Sequence, residues 1–135
     1  LNVNLKRAGV RARTVQASAQ ENPFEKESFD LILADVPCSN SGVIRRRPDA
    51  PWRYQVKRVA ELTLLQADIL DSLSQLVRSG GRLLYSTCSI EPEENIRQIE
   101  NFLALHSDFT LKKQALFLPS EVHDGAFGAL LEKKN

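Results

Sequence analysis

Apolar residues in this chain fall into short continuous runs and one longer segment with helical spacing. Residues 29–36 are almost uninterrupted in their apolarity, a pattern typical of a strand buried on both faces of a parallel sheet. Between residues 62 and 77, apolar positions recur at helical spacing, which predicts a helix ended by Gly80. A second apolar run at 82–86 predicts the next strand. The order strand, helix, strand is typical of a parallel crossover unit.

The flanking segments predict further elements of the same kind. They are, in chain order, a helix end at 1–8, a short strand at 13–17, a helix that begins near Pro92, one or two strands at 109–118, and a last strand at 125–131. Strands that alternate with helices indicate an α/β sheet. Ligands bind such sheets at the carboxyl ends of their strands, so residues at those ends are the first candidates for a site.

Composition places the chain among ordinary globular domains. It has 135 residues, 42% of them hydrophobic and 26% charged, with a formal net charge of +1. No apolar stretch is long enough to span a membrane, and the amino-terminal residues have no signal-peptide pattern. Because the chain begins with Leu1 rather than Met, we expect it to be a piece of a longer protein, and a reducing cytoplasm fits it best.

Cysteine and histidine usage argues against two classes of site. Cys38 and Cys88 lie 50 residues apart, which is not the pattern of a secreted disulfide framework. Together with His106 and His123 they do not have the spacing of a zinc site. We therefore expect two free thiols and no metal.

Three chemically capable side chains fall at the predicted strand ends. Asp35 and Cys38 follow the first strand, and Cys88 follows the second. The simpler interpretation is that each cysteine fills space and that the aspartate caps a turn, since free cysteines are commonly buried. Two thiols at one sheet edge instead suggest a nucleophile and a helper.

A pair of thiols suits substitution at C5 of a pyrimidine. That carbon becomes reactive toward a methyl donor only after a nucleophile adds at C6, and a thiolate is well suited to this addition. A second group must then assist removal of the C5 proton and release of the first thiol. Asp35 is able to accept hydrogen bonds from the amino edge of cytosine or from a cofactor.

The residues around the two cysteines carry a family resemblance. They resemble the two cysteine motifs of the Sun-type family of S-adenosylmethionine-dependent RNA cytosine-5 methyltransferases, closest to its bacterial 16S ribosomal RNA methyltransferase B branch. The matching segments are Asp35-Val36-Pro37-Cys38-Ser39-x-x-Gly42, Gly42-Val43-Ile44-Arg45-Arg46-x-Pro48-Asp49-x-x-Trp52, Tyr85-Ser86-Thr87-Cys88-Ser89-Ile90-Glu91-Pro92-Glu93-Glu94-Asn95 and Asp124-Gly125-x-Phe127.

The resemblance implies a fold and a set of roles. Residues 1–135 would be the carboxyl-terminal part of one methyltransferase catalytic domain with a Rossmann-like α/β fold. Cys88 would be the nucleophile that adds to C6, and Cys38 would assist breakdown of the covalent adduct. Asp35 would bind S-adenosylmethionine where the cofactor meets the target base. The substrate would be RNA, most simply 16S ribosomal RNA.

The sequence departs from the family where the cofactor is expected to bind. The glycine-rich loop of the family's first strand is absent, as is the acidic residue expected to hold the ribose. A further acidic residue is expected near the adenine, but that neighbourhood reads Val15-Gln16-Ala17-Ser18. The fold is therefore expected to be incomplete, and we expect this chain alone to bind S-adenosylmethionine weakly and to be inactive.

A basic loop follows the first cysteine and predicts contact with RNA. Six basic residues stand against the single acid Asp49, and Trp52 and Tyr54 lie among them; the basic residues are Arg45, Arg46, Arg47, Arg53, Lys57 and Arg58. Arginine forks suit phosphates, and aromatic rings stack on unpaired bases. Arg45, Arg46 and Trp52 are the candidate RNA-binding residues. The alternative is a solvated loop whose Trp52 packs on the body of the domain.

Other functions remain open at this level. A non-catalytic RNA-binding module would keep the shape without the chemistry, and the same chemistry on transfer RNA needs no different residues here. A thiol enzyme acting on a small molecule would leave the arginine-rich loop unexplained. The acidic residues Glu93, Glu94 and Glu100 are predicted to form a solvated helix face, and Asn95 is predicted to lie on the helix surface.

Overall fold

The computed structural model describes residues 2–49, 52 and 54–135. Its elements are the helix α1 (Asn2–Arg7), the strand β1 (Phe29–Asp35), a 3-10 turn (Ser41–Val43), the helix α2 (Val56–Ser74), the strand β2 (Val77–Thr87), the helix α3 (Ile96–Leu105), and the strands β3 (Phe109–Phe117) and β4 (Ala126–Lys133). This order confirms the α/β class. No helix in these described ranges is long and apolar enough to cross a membrane.

The four strands form one mixed sheet in the order β1-β2-β4-β3. β1 runs parallel to β2, whereas β4 is antiparallel to both of its neighbours, β2 and β3. Ala34 pairs with Tyr85 and Asp35 pairs with Ser86, so β1 and β2 end side by side. The sheet therefore brings the segments that follow these two strands to one edge.

The hydrophobic core lies between one face of the sheet and the helices α2 and α3. Leu70 of α2 and Ile99 of α3 are completely buried, as are Leu83, Tyr85 and Leu131 on the covered face of the sheet. Burial of these large apolar side chains is the main source of stability in a domain of this size. It also fixes the ends of β1 and β2 on a rigid base.

The prediction that residues 29–36 are buried on both faces is wrong for one face. Ala34 is buried on the helix side, but Leu31 is 60% exposed and Leu33 is 64% exposed on the other side. β1 is an edge strand of the described sheet, with β2 as its single neighbour. The opposite face of β1 is thus left uncovered by the described residues, although its sequence is that of an interior strand.

The predicted end of the second helix is also wrong. α2 ends at Ser74, and Val77 already pairs with Phe29 at the start of β2. Gly80 lies inside β2 with a φ of 71°, so it serves an irregularity of the strand rather than a helix cap. Pairing with β1 is what overrides the continued helical spacing of the apolar residues.

The predicted short strand at 13–17 is absent, since residues 11–18 have no regular structure and Val15 is 55% exposed. This segment does not pair with any strand of the described sheet, although the outer edge of β1 is unpaired there. The other predictions hold: α1 ends before Gly9, whose φ is 67°, residues 109–117 form one strand, and a last strand follows at 126–133. The helix predicted to begin near Pro92 begins four residues later, at Ile96, because residues 92–95 form a turn in front of it.

Candidate active site

The two cysteines lie on loops that leave the same edge of the sheet. Val36, directly after β1, donates its backbone N–H to the Ser86 carbonyl at 3.1 Å, which carries the strand pairing to the point where the loops begin. Cys38 and Cys88 follow, and their Sγ atoms lie 3.0 Å apart. Both are free and half-buried. The predicted convergence of the two thiols is therefore present in the structure.

Asn40 connects the two cysteine loops. Its φ of 62° lies in the left-handed region, which asparagine tolerates better than most residues. Its Nδ2 donates to the Cys38 carbonyl at 3.1 Å, and its Oδ1 lies 3.1 Å from Cys88 Sγ as an acceptor for the thiol proton. Asn40 thereby ties the backbone of the Cys38 loop to the side chain of Cys88.

The close contact between the sulfurs changes the acidity of both. The hydrogen bond from Cys88 lowers the pKa of Cys38 from 9.0 to about 7, in spite of burial. The same contact raises the pKa of Cys88, and burial and the nearby charge of Asp35 add to that rise. The pair therefore gives up its first proton near neutral pH and holds the second, with one proton shared between two sulfurs.

Gly42 brings a third loop against the cysteines. Its N–H donates to the Cys88 carbonyl at 3.0 Å, and its own carbonyl accepts the N–H of Gly125 at 2.7 Å. A Cβ on Gly42 would lie 2.8 Å from the carbonyl oxygens of both Cys88 and Gly125. Only glycine fits between these two backbones, so the residue is required by packing rather than by a turn.

Two polar residues that were predicted to be on the surface lie beneath the cysteine loops. Glu94 has no exposed surface, and Asn95 is 3% exposed. Asn95 accepts a hydrogen bond from Thr87 Oγ1 at 2.7 Å and donates to the Ser89 carbonyl at 2.9 Å, which ties it to the residues on both sides of Cys88. The surface prediction for these two residues is wrong because the segment before α3 turns inward to satisfy buried polar groups.

Part of this buried polar network has a signal in the sequence. Asn95 lies four residues before the buried Ile99, so helical spacing places it on the core side. Gln66, also fully buried, interrupts the apolar stripe of α2. A polar residue on an apolar face is expected to meet polar partners. Glu94 precedes α3 in a turn, and no periodic pattern predicts its burial.

The first part of the basic loop contacts the segment that precedes β4. Arg45 donates to the Glu121 carbonyl at 2.5 Å, and Arg46 forms a 2.7 Å ion pair with Asp124. The Arg46 side chain is still 72% exposed. Both predicted RNA-binding arginines therefore anchor the loop through part of their donors and stay accessible at the surface.

In the rest of the basic loop, Trp52 faces solvent, and Arg47 and Arg58 lie near the thiols. Trp52 is 88% exposed, so the alternative in which it packs on the body of the domain is wrong. Arg53 lies outside the described residues. A pocket beside Cys38 is lined by Arg47, Tyr54 and Arg58 among others, which puts two further cations of the loop next to the sulfur pair. Sequence spacing alone did not distinguish these two arginines from Arg45 and Arg46.

The same region offers few groups for a metal. Within the ranges that the structure describes, no cluster of three or more histidine, cysteine, aspartate or glutamate side chains is arranged to hold a metal ion. Asp35, the predicted cofactor ligand, ends β1 with an exposed side chain. It is close enough to Cys88 for its charge to affect the pKa of that thiol.

Comparison with known proteins adds a family to this geometry. Residues 1–129 match the family model described as 16S rRNA methyltransferase RsmB/F. Over 110 residues the chain is 48% identical to ribosomal RNA small subunit methyltransferase B of Klebsiella pneumoniae strain 342, a match that covers 80% of this chain and 26% of that protein. The enzyme of the same description from Citrobacter koseri is 44% identical over 142 residues, covering 97% and 33%.

The fold has a counterpart among solved structures. NSun6 from Pyrococcus horikoshii, solved with the ligand SFG, superposes with a TM-score of 0.85 at 27% identity and covers 99% of this chain and 38% of its own. This likeness confirms the predicted Rossmann-like α/β methyltransferase fold. The chain spans between a quarter and a third of the two bacterial relatives that it matches.

Proposed function

The chain belongs to the 16S rRNA methyltransferase RsmB/F family, and on that basis we propose that it forms the carboxyl-terminal part of a catalytic domain that methylates C5 of cytosine in RNA. The proposed substrate is 16S ribosomal RNA, and the proposed place of action is the cytoplasm. The observation that carries the proposal is the pair of unbonded thiols 3.0 Å apart at the carboxyl edge of two parallel strands.

The family consists of S-adenosylmethionine-dependent methyltransferases, and we assign that cofactor to the whole protein. SFG, the ligand of the NSun6 structure, is an analogue of it. When bound, S-adenosylmethionine supplies the methyl group. In this chain Asp35 offers one carboxylate at the edge of the sheet where such a ligand lies. The sequence has no glycine-rich loop after a strand, so we propose that these 135 residues alone bind the cofactor weakly and are inactive.

The first chemical step follows from the shared proton. The thiolate of Cys38 takes the proton of Cys88, which leaves Cys88 as the charged nucleophile. Cys88 Sγ then adds to C6 of the cytosine and forms a C6–S bond. The electron pair of the C5=C6 double bond moves to C5, which becomes nucleophilic toward a methyl donor.

Release of the product reverses the addition. Once C5 carries its methyl group, its proton leaves to a base, and the electron pair left behind re-forms the C5=C6 double bond. The C6–S bond breaks at the same time, and Cys38, which holds the proton taken earlier, donates it to Cys88 Sγ, so that Cys88 departs as a thiol. In this scheme Cys38 assists breakdown of the adduct and Cys88 is the nucleophile.

Contact with RNA is proposed for the basic loop. Arg45 and Arg46 are exposed enough to meet phosphates, and the exposed ring of Trp52 offers a stacking surface for a base outside a helix. Arg47 and Arg58 lie at the pocket beside Cys38, where the phosphates of an extruded nucleotide would pass. We extend the proposed RNA contact to these two arginines.

The test is a trapped adduct with the whole protein that contains this chain. The protein is incubated with S-adenosylmethionine and RNA that carries 5-fluorocytosine, because fluorine at C5 cannot leave as the proton does. A denaturing gel shows the covalent protein–RNA species, and mass spectrometry of the linked peptide identifies the residue. We expect the adduct at Cys88 and its loss in Cys88→Ala, whereas Cys38→Ala forms it more slowly, because Cys88 must then lose its proton to water.

Three outcomes separate the alternatives. An adduct with transfer RNA but not with 16S ribosomal RNA would keep the chemistry and replace the substrate. RNA binding without an adduct on any RNA would favour a non-catalytic binding module. An adduct at Cys38 in place of Cys88 would reverse the two roles proposed here.

A further inference from the structure

A buried carboxylate joins the two cysteine loops. Glu94 Oε1 accepts the backbone N–H of Ser39 at 2.9 Å and Nε2 of Gln66 at 3.0 Å. Its Oε2 accepts the hydroxyls of Ser39 at 2.5 Å and Ser89 at 2.6 Å. Four donors occupy the acceptor sites of a single carboxylate. Glu94 is fully buried, so its carboxylate serves to make these four contacts and does not bind a further ligand.

These contacts end on the residues next to each cysteine. Ser39 directly follows Cys38, and Ser89 directly follows Cys88. Gln66 also donates to the carbonyl of Pro37, the residue before Cys38, at 2.9 Å. The Cys38 loop is thus held on both sides, and one carboxylate links it to the Cys88 loop. Charge-assisted hydrogen bonds away from water are strong, so the two loops move apart only if this set of contacts is broken.

We infer that Glu94 is a positioning residue that holds the loops of Cys38 and Cys88 at the separation at which their sulfurs share a proton. The hydrogen bonds of its carboxylate go to Ser39, Ser89 and Gln66, and none of these goes to a sulfur. The catalytic meaning of this inference rests on the proposed function, which gives the thiol pair a part in the reaction. The positioning itself is measurable on the thiols without RNA or cofactor.

Positioning and charge have opposite effects on the thiols. The negative charge of Glu94 raises the pKa of Cys38 slightly, whereas the hydrogen bond from Cys88 lowers it most. If Glu94 acted through its charge alone, its removal would lower the pKa of Cys38 further. If Glu94 positions the loops, its removal lengthens the contact between the sulfurs and moves the pKa of Cys38 back toward 9.0.

Two variants of Glu94 separate these effects in the full chain. In Glu94→Gln the amide oxygen can accept from Ser39 N–H and Gln66, and the amide nitrogen can donate to the two serine hydroxyls, which also accept. This variant keeps the contacts and removes the charge, while Glu94→Ala removes both. The other charged or titratable groups around the pair stay unchanged in both variants; they are Asp35, Arg47, Asp49, Tyr54, Arg58 and Tyr85.

The measurement is the ultraviolet absorbance of the thiolate against pH, together with the alkylation rate of each cysteine at neutral pH. For Glu94→Ala we expect the first thiol midpoint to rise by about one unit or more and the alkylation rate to fall roughly fivefold or more. For Glu94→Gln we expect a midpoint at or slightly below that of the wild type, so the conservative variant restores reactivity. If Glu94 is merely structural, the midpoint of the folded Glu94→Ala protein will not change, and that result would overturn the inference. A lowered midpoint in this variant would also overturn it.

Gln98→Ala is the matched control for lost stability. Gln98 is 4% exposed and donates to the Thr63 carbonyl at 2.6 Å, away from both cysteine loops. Its replacement is expected to lower the melting temperature without moving the thiol midpoint. If Glu94→Ala does not fold, the double variant Ser39→Ala, Ser89→Ala removes two of the four contacts. It is expected to raise the midpoint by a smaller amount, and an unchanged midpoint there would contradict the inference.

Failure of the proposed function is distinguishable from failure of this inference. If the wild type forms no adduct with RNA but the thiol midpoint rises in Glu94→Ala, the proposed function is refuted and the positioning role of Glu94 is supported. If the adduct forms at the wild-type rate in Glu94→Ala and the midpoint does not change, the proposed function is supported and the positioning role of Glu94 is refuted.

Discussion

The sulfur atoms of Cys38 and Cys88 lie 3.0 Å apart on loops that follow two parallel strands. At this distance the thiolate of one is stabilised by the thiol proton of the other, so the acidity belongs to the pair. The Oδ1 atom of Asn40, 3.1 Å from Cys88 Sγ, is a second acceptor for the proton of that thiol. Such a pair holds one thiolate near neutral pH and keeps one proton, which is what the proposed release step requires.

The free energy of unfolding should therefore depend on pH in two opposite phases. Between about 7 and 9.0 the folded chain binds fewer protons than the unfolded chain because the pKa of Cys38 is lowered, so stability rises with pH. Above 9.0 the raised pKa of Cys88 reverses the difference, and stability falls. Chemical denaturation at a series of pH values measures both phases. In Cys88→Ala the rise should shrink, because Cys38 loses the side-chain hydrogen bond that lowers its pKa most, and an undiminished rise would assign it to another group.

Gly42→Ala should destabilise the chain through backbone crowding. The added Cβ would lie 2.8 Å from the carbonyl oxygens of Cys88 and Gly125, neither of which is the end of a flexible side chain. Overpacking of this kind costs about 1–3 kcal/mol, and here it also pushes the Cys88 loop outward. Urea denaturation measures the loss. Gly128→Ala is the matched control, because its Cβ would meet the Tyr85 carbonyl at 3.9 Å, an ordinary contact, and equal losses in the two variants would refute the argument.

Tyr85→Phe should weaken the support of the same loops without a change of shape. The Tyr85 hydroxyl donates to the Glu94 carbonyl at 2.7 Å, and the ring is fully buried. Burial raises the pKa of Tyr85, so the hydroxyl keeps its proton and its role as donor. Loss of the bond leaves a buried carbonyl without its donor, which costs about 1–3 kcal/mol. Thermal unfolding measures the change, and Tyr54→Phe, at an exposed ring, should leave the melting temperature almost unaltered.

The sequence predicts the site better than it predicts the support of the site. The helical spacing and the apolar runs of the sequence predict β1, α2 and β2 in this order. Because the two strands are parallel, Cys38 and Cys88 then lie at the same edge of the sheet. The depth of Glu94 is not predictable in this way, because it depends on a turn before α3 and on partners that are distant in sequence. Burial of a carboxylate is set by donors such as Ser39, which no local pattern connects to it.

The errors at the edges of the fold have one physical cause. Apolar residues at 29–36 have the pattern of an interior strand, yet Leu31 and Leu33 are exposed because the described chain covers only one face of β1. Residues 13–17 have the composition of a strand but pair with none of the strands of the described sheet. Local sequence specifies the preference for a strand, while burial and pairing depend on elements elsewhere.

The 135-residue chain should bind S-adenosylmethionine weakly. The proposed ligand Asp35 would supply one carboxylate, and the sequence contains no glycine-rich loop to bring backbone N–H groups to the cofactor. Isothermal titration calorimetry on this chain should give a dissociation constant weaker than the micromolar range. The control is Asp35→Asn in the whole protein, which should weaken binding there. Micromolar binding by the 135 residues would show that they hold a complete cofactor site.

RNA affinity should depend on salt through the basic loop. Each phosphate contact releases counterions, so the logarithm of the affinity falls linearly with the logarithm of the salt concentration. Neutral variants at Arg45, Arg46 and Arg47 should each reduce this slope by about one, as measured by fluorescence anisotropy in the whole protein. Arg46→Gln should also lower the melting temperature because it breaks the 2.7 Å ion pair with Asp124. Lys112→Gln on β3 is the matched control. An equal change of slope in that variant would show that RNA is attracted by the overall charge of the protein rather than by the basic loop.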